Sequence, residues 1–516
     1  LKRNFRRASQ IIFLILFLVL LVKTDYTGSN EIPYPVKVFL DFDPLAFVAT
    51  YLSAHTVPAV LFLSLTVILL TLLFGRVFCS FVCPLGTLNN AVSFFERKRV
   101  EGRGEKRKGQ NVKYYLLLFV LGGALAGLEV AGIFDPISVM IRSLSLSVIP
   151  LFDWLVRSLL EPIYAAGIPV VSPGADVLLS VLEKTVLPFR SPVFRQTLLI
   201  GLIFGGILAL NRLRTRFWCR YVCPLGALLG LVSRFQLLKL RMNEKCTACG
   251  ECEEVCQGGA APHLRDGWSP SECLSCFNCD AQCPFGALEW KFSLEKGTRD
   301  RMDLGRRWVL GSIAGGIAAV GLTRVSPAWA RTDPYLIRPP GALKEEDFLA
   351  RCIRCGECMK VCITGALQPT LFEGGLLAIW TPVLAPKMGY CEFNCTLCGQ
   401  VCPTGAIKRL ELEEKHKFKI GLAFIDKNRC LPYAQGVPCI VCEEHCPTPE
   451  KAIRFREIKA PNGKVVKAPV VDLDLCIGCA ICEYKCPVRD IPAIRVTTAG
   501  ETRNPEMRIP TSSAKY

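Results

Sequence analysis

Residues 246–284 read CTACGECEEVCQGGAAPHLRDGWSPSECLSCFNCDAQCP. Eight cysteines fall into two runs, Cys246, Cys249, Cys252, Cys256 and Cys273, Cys276, Cys279, Cys283, each spaced by two, two and three residues, and Pro284 closes the second. Three closely spaced thiolates hold three irons of one cubane, and the fourth ligand comes from the other run. The spacing therefore assigns Cys246, Cys249, Cys252 and Cys283 to one [4Fe–4S] cluster, and Cys273, Cys276, Cys279 and Cys256 to a second. Structural zinc is set aside by the same spacing.

Downstream the pattern recurs four times: Cys352, Cys355, Cys358, Cys362; Cys391, Cys395, Cys398, Cys402; Cys430, Cys439, Cys442, Cys446; Cys476, Cys479, Cys482, Cys486. The last three runs end in Cys-Pro, and two of them loosen the approach to the first ligand. These runs predict four more cubanes. Either neighbouring runs exchange their fourth cysteine, or the first pairs with the last and the middle two pair together.

Six clusters use 24 of the 28 cysteines, and the remaining four form an internal repeat. Residues 76–88 read RVFCSFVCPLGTL and residues 216–228 read RFWCRYVCPLGAL. Cys79, Cys83, Cys219 and Cys223 are expected to converge on one site. Four thiolates suit an additional iron–sulfur cluster or a soft metal such as Cu(I); redox-active dithiols and a structural role are the alternatives. A second repeat opens each unit, Phe42-Asp43-Pro44-Leu45 and Phe134-Asp135-Pro136-Ile137. Asp before Pro is an ordinary helix cap. An intramembrane carboxylate is also a functional candidate, so Glu129, Asp43, Asp135 and His55 form a candidate quinol site.

The rest of the chain reads as membrane. Apolar residues make up 51% of the 516, and apolar segments at 8–22, 54–75, 114–134 and 195–211 predict four spanning helices. No small-residue cleavage site follows Val22, so the first segment reads as an anchor. The stretch 145–165 is expected to lie along the interface. The net charge of +17 gathers on loops beside these segments, as the positive-inside rule requires, which argues against nucleic-acid binding. Gly305-Arg306-Arg307-Trp308, an apolar run to Leu322 and Ala328-Trp329-Ala330 resemble an internal twin-arginine export signal; a plain fifth helix is the alternative. No C-x-x-C-H occurs and only four histidines exist, His55, His263, His416 and His445, so no haem is expected. There is no nucleotide motif.

The fold class expected is an α-helical membrane protein of about five helices with two α+β ferredoxin-like domains on opposite sides. The boundaries are 1–239 for the four-helix domain, 240–302 for a cytoplasmic two-cluster domain, 303–330 for the fifth helix, 331–498 for a periplasmic four-cluster domain and 499–516 for a polar tail.

On these motifs residues 1–290 resemble the NapH-type membrane ferredoxins, whose core also occurs in NosR, MauN and CcoG-like families. Residues 303–490 resemble the NapG-type ferredoxins, here fused to the first unit. The resemblance implies a bacterial inner-membrane protein of anaerobic respiration. It implies a quinol dehydrogenase-type subunit passing electrons from the quinone pool to a periplasmic cytochrome c or reductase, within a hetero-oligomeric complex. A transmembrane conduit without quinone chemistry, and a metal-reducing assembly factor, are the competing functions.

Overall fold

The computed structural model describes residues 2–95, 109–165, 171–187, 192–260, 268–294, 304–325, 333–503 and 505. Most of the basic loop after the second apolar segment, Ala328-Trp329-Ala330 and most of the expected tail lie outside the described residues.

The chain opens with Lys2–Lys23, which buries Phe17 and Leu21 and leaves Ile11, Ile12, Ile15 and Val19 exposed. Each Asp-Pro step then starts a helix. Asp43 accepts from the Leu45 amide at 2.9 Å and caps Pro44–Ala54; Asp135 accepts from Ser138 at 2.7 Å and caps Pro136–Ser143. The carboxylate satisfies an orphan amide, and proline at the first position needs no donor.

Several expected spans are cut differently. Pro44–Ala54 ends at His55 in the left-handed region (φ 54°), so the second apolar segment begins afresh as Ala59–Phe74. The third ends early, as Val112–Leu125, where Gly127 turns at φ 80°. Glu129 is therefore in the following loop rather than in the last turns of that helix. The fourth is Thr197–Arg212. The stretch 145–165, read as interfacial, belongs to an apolar helix Pro136–Ile163 of 28 residues. Within it Arg157 pairs with Asp153 one turn away at 3.0 Å.

Among the described residues two helices have the length and apolarity to cross a bilayer, Lys2–Lys23 and Pro136–Ile163, against five expected; the other apolar helices are shorter. Arg306–Val325 packs along Val112–Leu125, and both run the same way, Tyr115 meeting Trp308 and Gly123 meeting Val320. Glycines set this contact: a Cβ on Gly316 would stand 2.1 Å from the Phe119 carbonyl, and one on Gly122 2.5 Å from that of Ile313. Small residues allow such close approach of two backbones.

Two cysteine-rich domains flank the helices. In the first, β1 (Leu238–Met242) and β2 (Leu288–Phe292) pair antiparallel and bracket the eight cysteines. The second holds three further antiparallel pairs: β3 (Leu367–Pro369) with β4 (Pro382–Leu384), β5 (Leu422–Ile425) with β8 (Ile494–Thr497), and β6 (Ile453–Lys459) with β7 (Val465–Val471). Cys276 of the first domain, Cys79, Cys83 and Cys223 of the helices, and Cys355 of the second all lie in one packed core with Leu85, Leu225 and Met140.

Candidate iron–sulfur centres

The chain bends around each simple run in the same way. The residue before the second cysteine is left-handed in four of them: Ala248, Ser275, Arg354 and Gly478. So is the residue after it: Gly250, Phe277, Gly356 and Ala480. A side chain at positive φ costs about 1–2 kcal/mol, so these turns persist only where the surroundings over-determine them. The turns direct successive thiols to one side.

The thiols gather in fours. Cys246, Cys249, Cys252 and Cys283 line one pocket, and Cys256 faces Cys273, Cys276 and Cys279, the pairing that the spacing predicts. In the second domain neighbouring runs exchange. Cys402 joins Cys352, Cys355 and Cys358, and Cys362 joins Cys391, Cys395 and Cys398. Cys486 joins Cys430, Cys439 and Cys442, and Cys446 joins Cys476, Cys479 and Cys482. These sets stand in a line. Cys398 approaches Cys358, the Cys391 amide donates to the Cys479 carbonyl at 2.9 Å, and Cys482 approaches Cys442.

The donor chemistry fits cubanes. Burial pushes the thiols of Cys352, Cys395 and Cys430 up to about 11, so loading a metal cluster must expel protons. Backbone amides already point at sulfur: Ala248 to Cys246, Ala260 to Cys256, Ala287 to Cys283 and Ile407 to Cys402, all at 3.3–3.4 Å. Such bonds tune cluster potential. Among the described residues no group of three or more His, Cys, Asp or Glu closes tightly enough for a single ion.

Cys79, Cys83, Cys219 and Cys223 do converge, and all are buried. Gly86 donates to the Cys83 sulfur at 3.4 Å and Gly226 to Cys223 at 3.2 Å. The Pro-Leu-Gly of each repeat is needed for this, since a Cβ on Gly86 would stand 2.6 Å from the Cys79 carbonyl. The repeats also interlock. Arg216 donates to the Cys79 carbonyl at 3.2 Å, and Arg76 reaches Gly226 beside Cys223. Arg76 further donates to the Ser271 carbonyl at 3.0 Å and lies 3.9 Å from Glu272, which also accepts from Lys113 and from Tyr114 at 2.8 Å. Glu272 precedes Cys273, so this network ties the four-cysteine site to the first ferredoxin domain. The two repeat arginines were visible in sequence; Lys113 and Glu272 carried no signal there.

On the opposite side Arg142 and Arg354 make the join. Arg142 donates to the carbonyls of Arg354 at 3.0 Å, Gly132 at 3.2 Å and Ile133 at 3.1 Å, and lies over the Trp380 ring. Arg354 donates to Cys352 at 3.2 Å, Leu377 at 2.8 Å, Ile379 at 3.1 Å and to Glu129.

The candidate quinol residues are only partly brought together. Asp43 and Asp135 face each other in the core, with Glu129 nearby, and each keeps one buried oxygen without a partner. Both aspartates are also the helix caps, so the two readings coexist. His55 is exposed and stands apart as the left-handed end of its helix. A cavity of about 240 Å³ lies elsewhere, between the second cysteine-rich domain and the helix ends, lined by Asp25, Tyr26, Phe194, Met359, Lys360 and Cys362 among others.

Comparison with known proteins agrees with these motifs. A 4Fe-4S binding domain model matches residues 56–100 and 196–243, the two halves of the repeat, and another matches residues 348–368. The ferredoxin-type protein NapG of Escherichia coli is 38% identical over 200 residues, covering 37% of this chain and 85% of NapG. The chain belongs to the NapG/MauM ferredoxin-type proteins. MauM of Methylorubrum extorquens, a methylamine utilization ferredoxin-type protein, is 36% identical over 201 residues, 37% of this chain and 88% of MauM. YccM of Escherichia coli, named for electron transport, is 27% identical over 292 residues, 55% of this chain and 69% of YccM. No solved structure matches. Like NapG and MauM, this chain is an iron–sulfur protein of electron transfer.

Proposed function

We propose that this NapG/MauM relative conducts electrons across the bacterial inner membrane through six cubanes and a seventh centre held by Cys79, Cys83, Cys219 and Cys223. One observation carries the reading: Cys276, three of the repeat cysteines (Cys79, Cys83 and Cys223) and Cys355 share a single packed core. A hydrocarbon layer of ~30 Å is too wide for one tunnelling step, and this core supplies relay ligands along the way. Apolar side chains exposed on the helices, Leu69, Trp154, Leu159, Leu198 and Leu202 among them, support a lipid setting, since soluble surfaces rarely carry such a belt. In this reading the N-terminus and the first ferredoxin domain are cytoplasmic. Arg306 and Arg307 begin the fifth helix as an export signal, and the second ferredoxin domain is periplasmic, facing a cytochrome c or reductase in a larger complex.

A second reading, quinol as donor, is favoured by the 240 Å³ cavity beside Cys362. Tyr26, Phe194 and Met359 offer apolar wall to a quinol ring, while Asp25 and Lys360 offer polar contact. It lies apart from the Glu129, Asp43, Asp135 and His55 site that the sequence suggests, whose acids are buried in the core. Oxidation there would deliver two electrons to the cubane line and two protons outward.

The test uses full-length protein in sealed vesicles, with a membrane-impermeant reductant at the first ferredoxin domain and an oxidised cytochrome c beyond the second. Conduction predicts cytochrome reduction that is lost in Cys83→Ser and Cys223→Ser. A menaquinol analogue that reduces the outer clusters in those same variants, but not in Ile149→Trp, which fills the cavity, would establish the quinol reading. Cytochrome reduction that persists without the repeat cysteines would overturn the conduit.

A further inference from the structure

A cavity of about 500 Å³ lies between the start of Lys2–Lys23, the loop after Thr197–Arg212 and the first ferredoxin domain. Among the described residues five arginines line it, Arg3, Arg6, Arg7, Arg212 and Arg214, and Glu254 is the one acid on its wall. Neutral amides fill much of the remainder. Arg6 decides its character. Arg6 is 2% exposed, donates to the amide oxygens of Asn278 at 3.0 Å and Gln257 at 3.5 Å, and keeps its Nε without a partner. Its hydrogen-bond partners are neutral amides, and the group that favours its charge is the Cys276 thiolate rather than a carboxylate. A buried guanidinium is costly without a counter-charge and a full set of acceptors. The forked donors of Arg3, Arg6 and Arg7 around one concave space match phosphate oxygens, which arginine binds bidentately.

We propose that this cavity is a binding site for a phosphate group, held between the first helix and the ferredoxin domain. Two sources share the chemistry, an anionic phospholipid headgroup and free phosphate. Ile11 also lines the cavity, and the exposed Ile11, Ile12 and Ile15 lead away from it along the helix, which gives an acyl chain a path. Cys256 lines the same space. A bound anion therefore sits against the cluster of Cys273, Cys276, Cys279 and Cys256, and makes adding an electron to it harder. The site would report membrane lipid, or phosphate, as a shift in cluster potential. It does not depend on the direction of electron flow or on quinol chemistry.

The test uses the full chain with clusters loaded, in nanodiscs of phosphatidylcholine with or without phosphatidylglycerol, and in detergent titrated with inorganic phosphate. Native mass spectrometry reads retained lipid, and EPR redox titration reads the cluster. Phosphatidylglycerol should be retained over phosphatidylcholine, and should drive the potential of the cluster bearing Cys256 more negative. Loss of the Arg6 charge in Arg6→Gln should weaken retention about tenfold or more, the scale of one charge-assisted hydrogen bond. Arg6→Lys should restore part of it. The double variant Arg3→Gln, Arg7→Gln, at less buried positions, should weaken retention with the clusters intact. Inorganic phosphate that produces the same potential shift and competes with lipid would identify free phosphate as the source. Equal retention of both lipids with no phosphate effect, or retention unchanged in Arg6→Gln and in the double variant, would overturn the proposal.

Discussion

Arg216 of the second repeat donates to the main-chain carbonyl of Cys79 in the first, at 3.2 Å and out of contact with solvent. Arg76 answers it by reaching Gly226 beside Cys223. Each half of the duplication thus holds a cation over the cysteines of the other. A thiolate-ligated cluster held there would have its negative charge stabilised by these two buried guanidinium groups. Removing one charge in Arg216→Met should lower the midpoint potential of the centre on Cys79, Cys83, Cys219 and Cys223. A drop of about 60 mV or more, a tenfold change in equilibrium for one electron, is expected in an EPR redox titration. An unchanged potential would show that this arginine only braces the fold.

The exchange of fourth ligands gives a crossed phenotype. Cys402→Ser should perturb the cluster on Cys352, Cys355 and Cys358, and spare the one on the other cysteines of its own run. Cys486→Ser should likewise perturb the cluster on Cys430, Cys439 and Cys442. Iron counting with EPR of each single variant, compared with Cys352→Ser and Cys430→Ser, checks the match. Signals that follow the run rather than the partner would refute the neighbour pairing.

Gly132 sits where the helical core meets the second ferredoxin domain, for a Cβ there would stand 1.9 Å from the Ile353 carbonyl. Neither backbone can yield without moving Arg354 and Cys355. Gly132→Val should destabilise the protein by about 2 kcal/mol or more, as overpacking does. It should also slow electron passage between the four-cysteine site and the outer line. Gly205→Ala, where nothing stands within 4 Å, is the control. A melting temperature equal to the control's would mean that the join is looser than the packing indicates.

Acid should loosen the second ferredoxin domain through Glu345. Its carboxylate meets Arg338 at 2.5 Å and Arg503 at 2.8 Å, and these guanidinium groups overcome the cost of burial and hold its pKa at about 2, below the ordinary 4.5. A depressed carboxylate stabilises the fold above its unfolded pKa, and that contribution fades as pH falls from about 4.5 toward 2. Thermal melts between those values should fall more steeply for the native chain than for Glu345→Gln, which has already lost the ion pairs. Parallel slopes would show that Glu345 does not govern the acid response.

Much of this was written in the chain itself. The spacing of Cys246 to Cys283 fixed both the ferredoxin class and the pairing within the first domain, because a short loop brings only certain thiols within reach of one cubane. The repeat of residues 76–88 and 216–228 announced a shared site, and the Asp-Pro steps announced two helix starts. All of these are local, and local sequence suffices where a turn or a cap decides the geometry. The pairing of the outer runs was not local. Cys402 and Cys362 exchange because the chain folds back between their runs, and no spacing records that. The helix ends were misjudged for a related reason: hydropathy sees Leu125 and Glu129 as neighbours, whereas the turn at Gly127 and the Leu349 carbonyl take Glu129 out of the helix. His55 fell away because a left-handed end sends it outward. Only the tertiary structure united Cys276, Cys83 and Cys355 in one core, since burying three surfaces from distant segments together is a matter of packing energy, which sequence order does not encode.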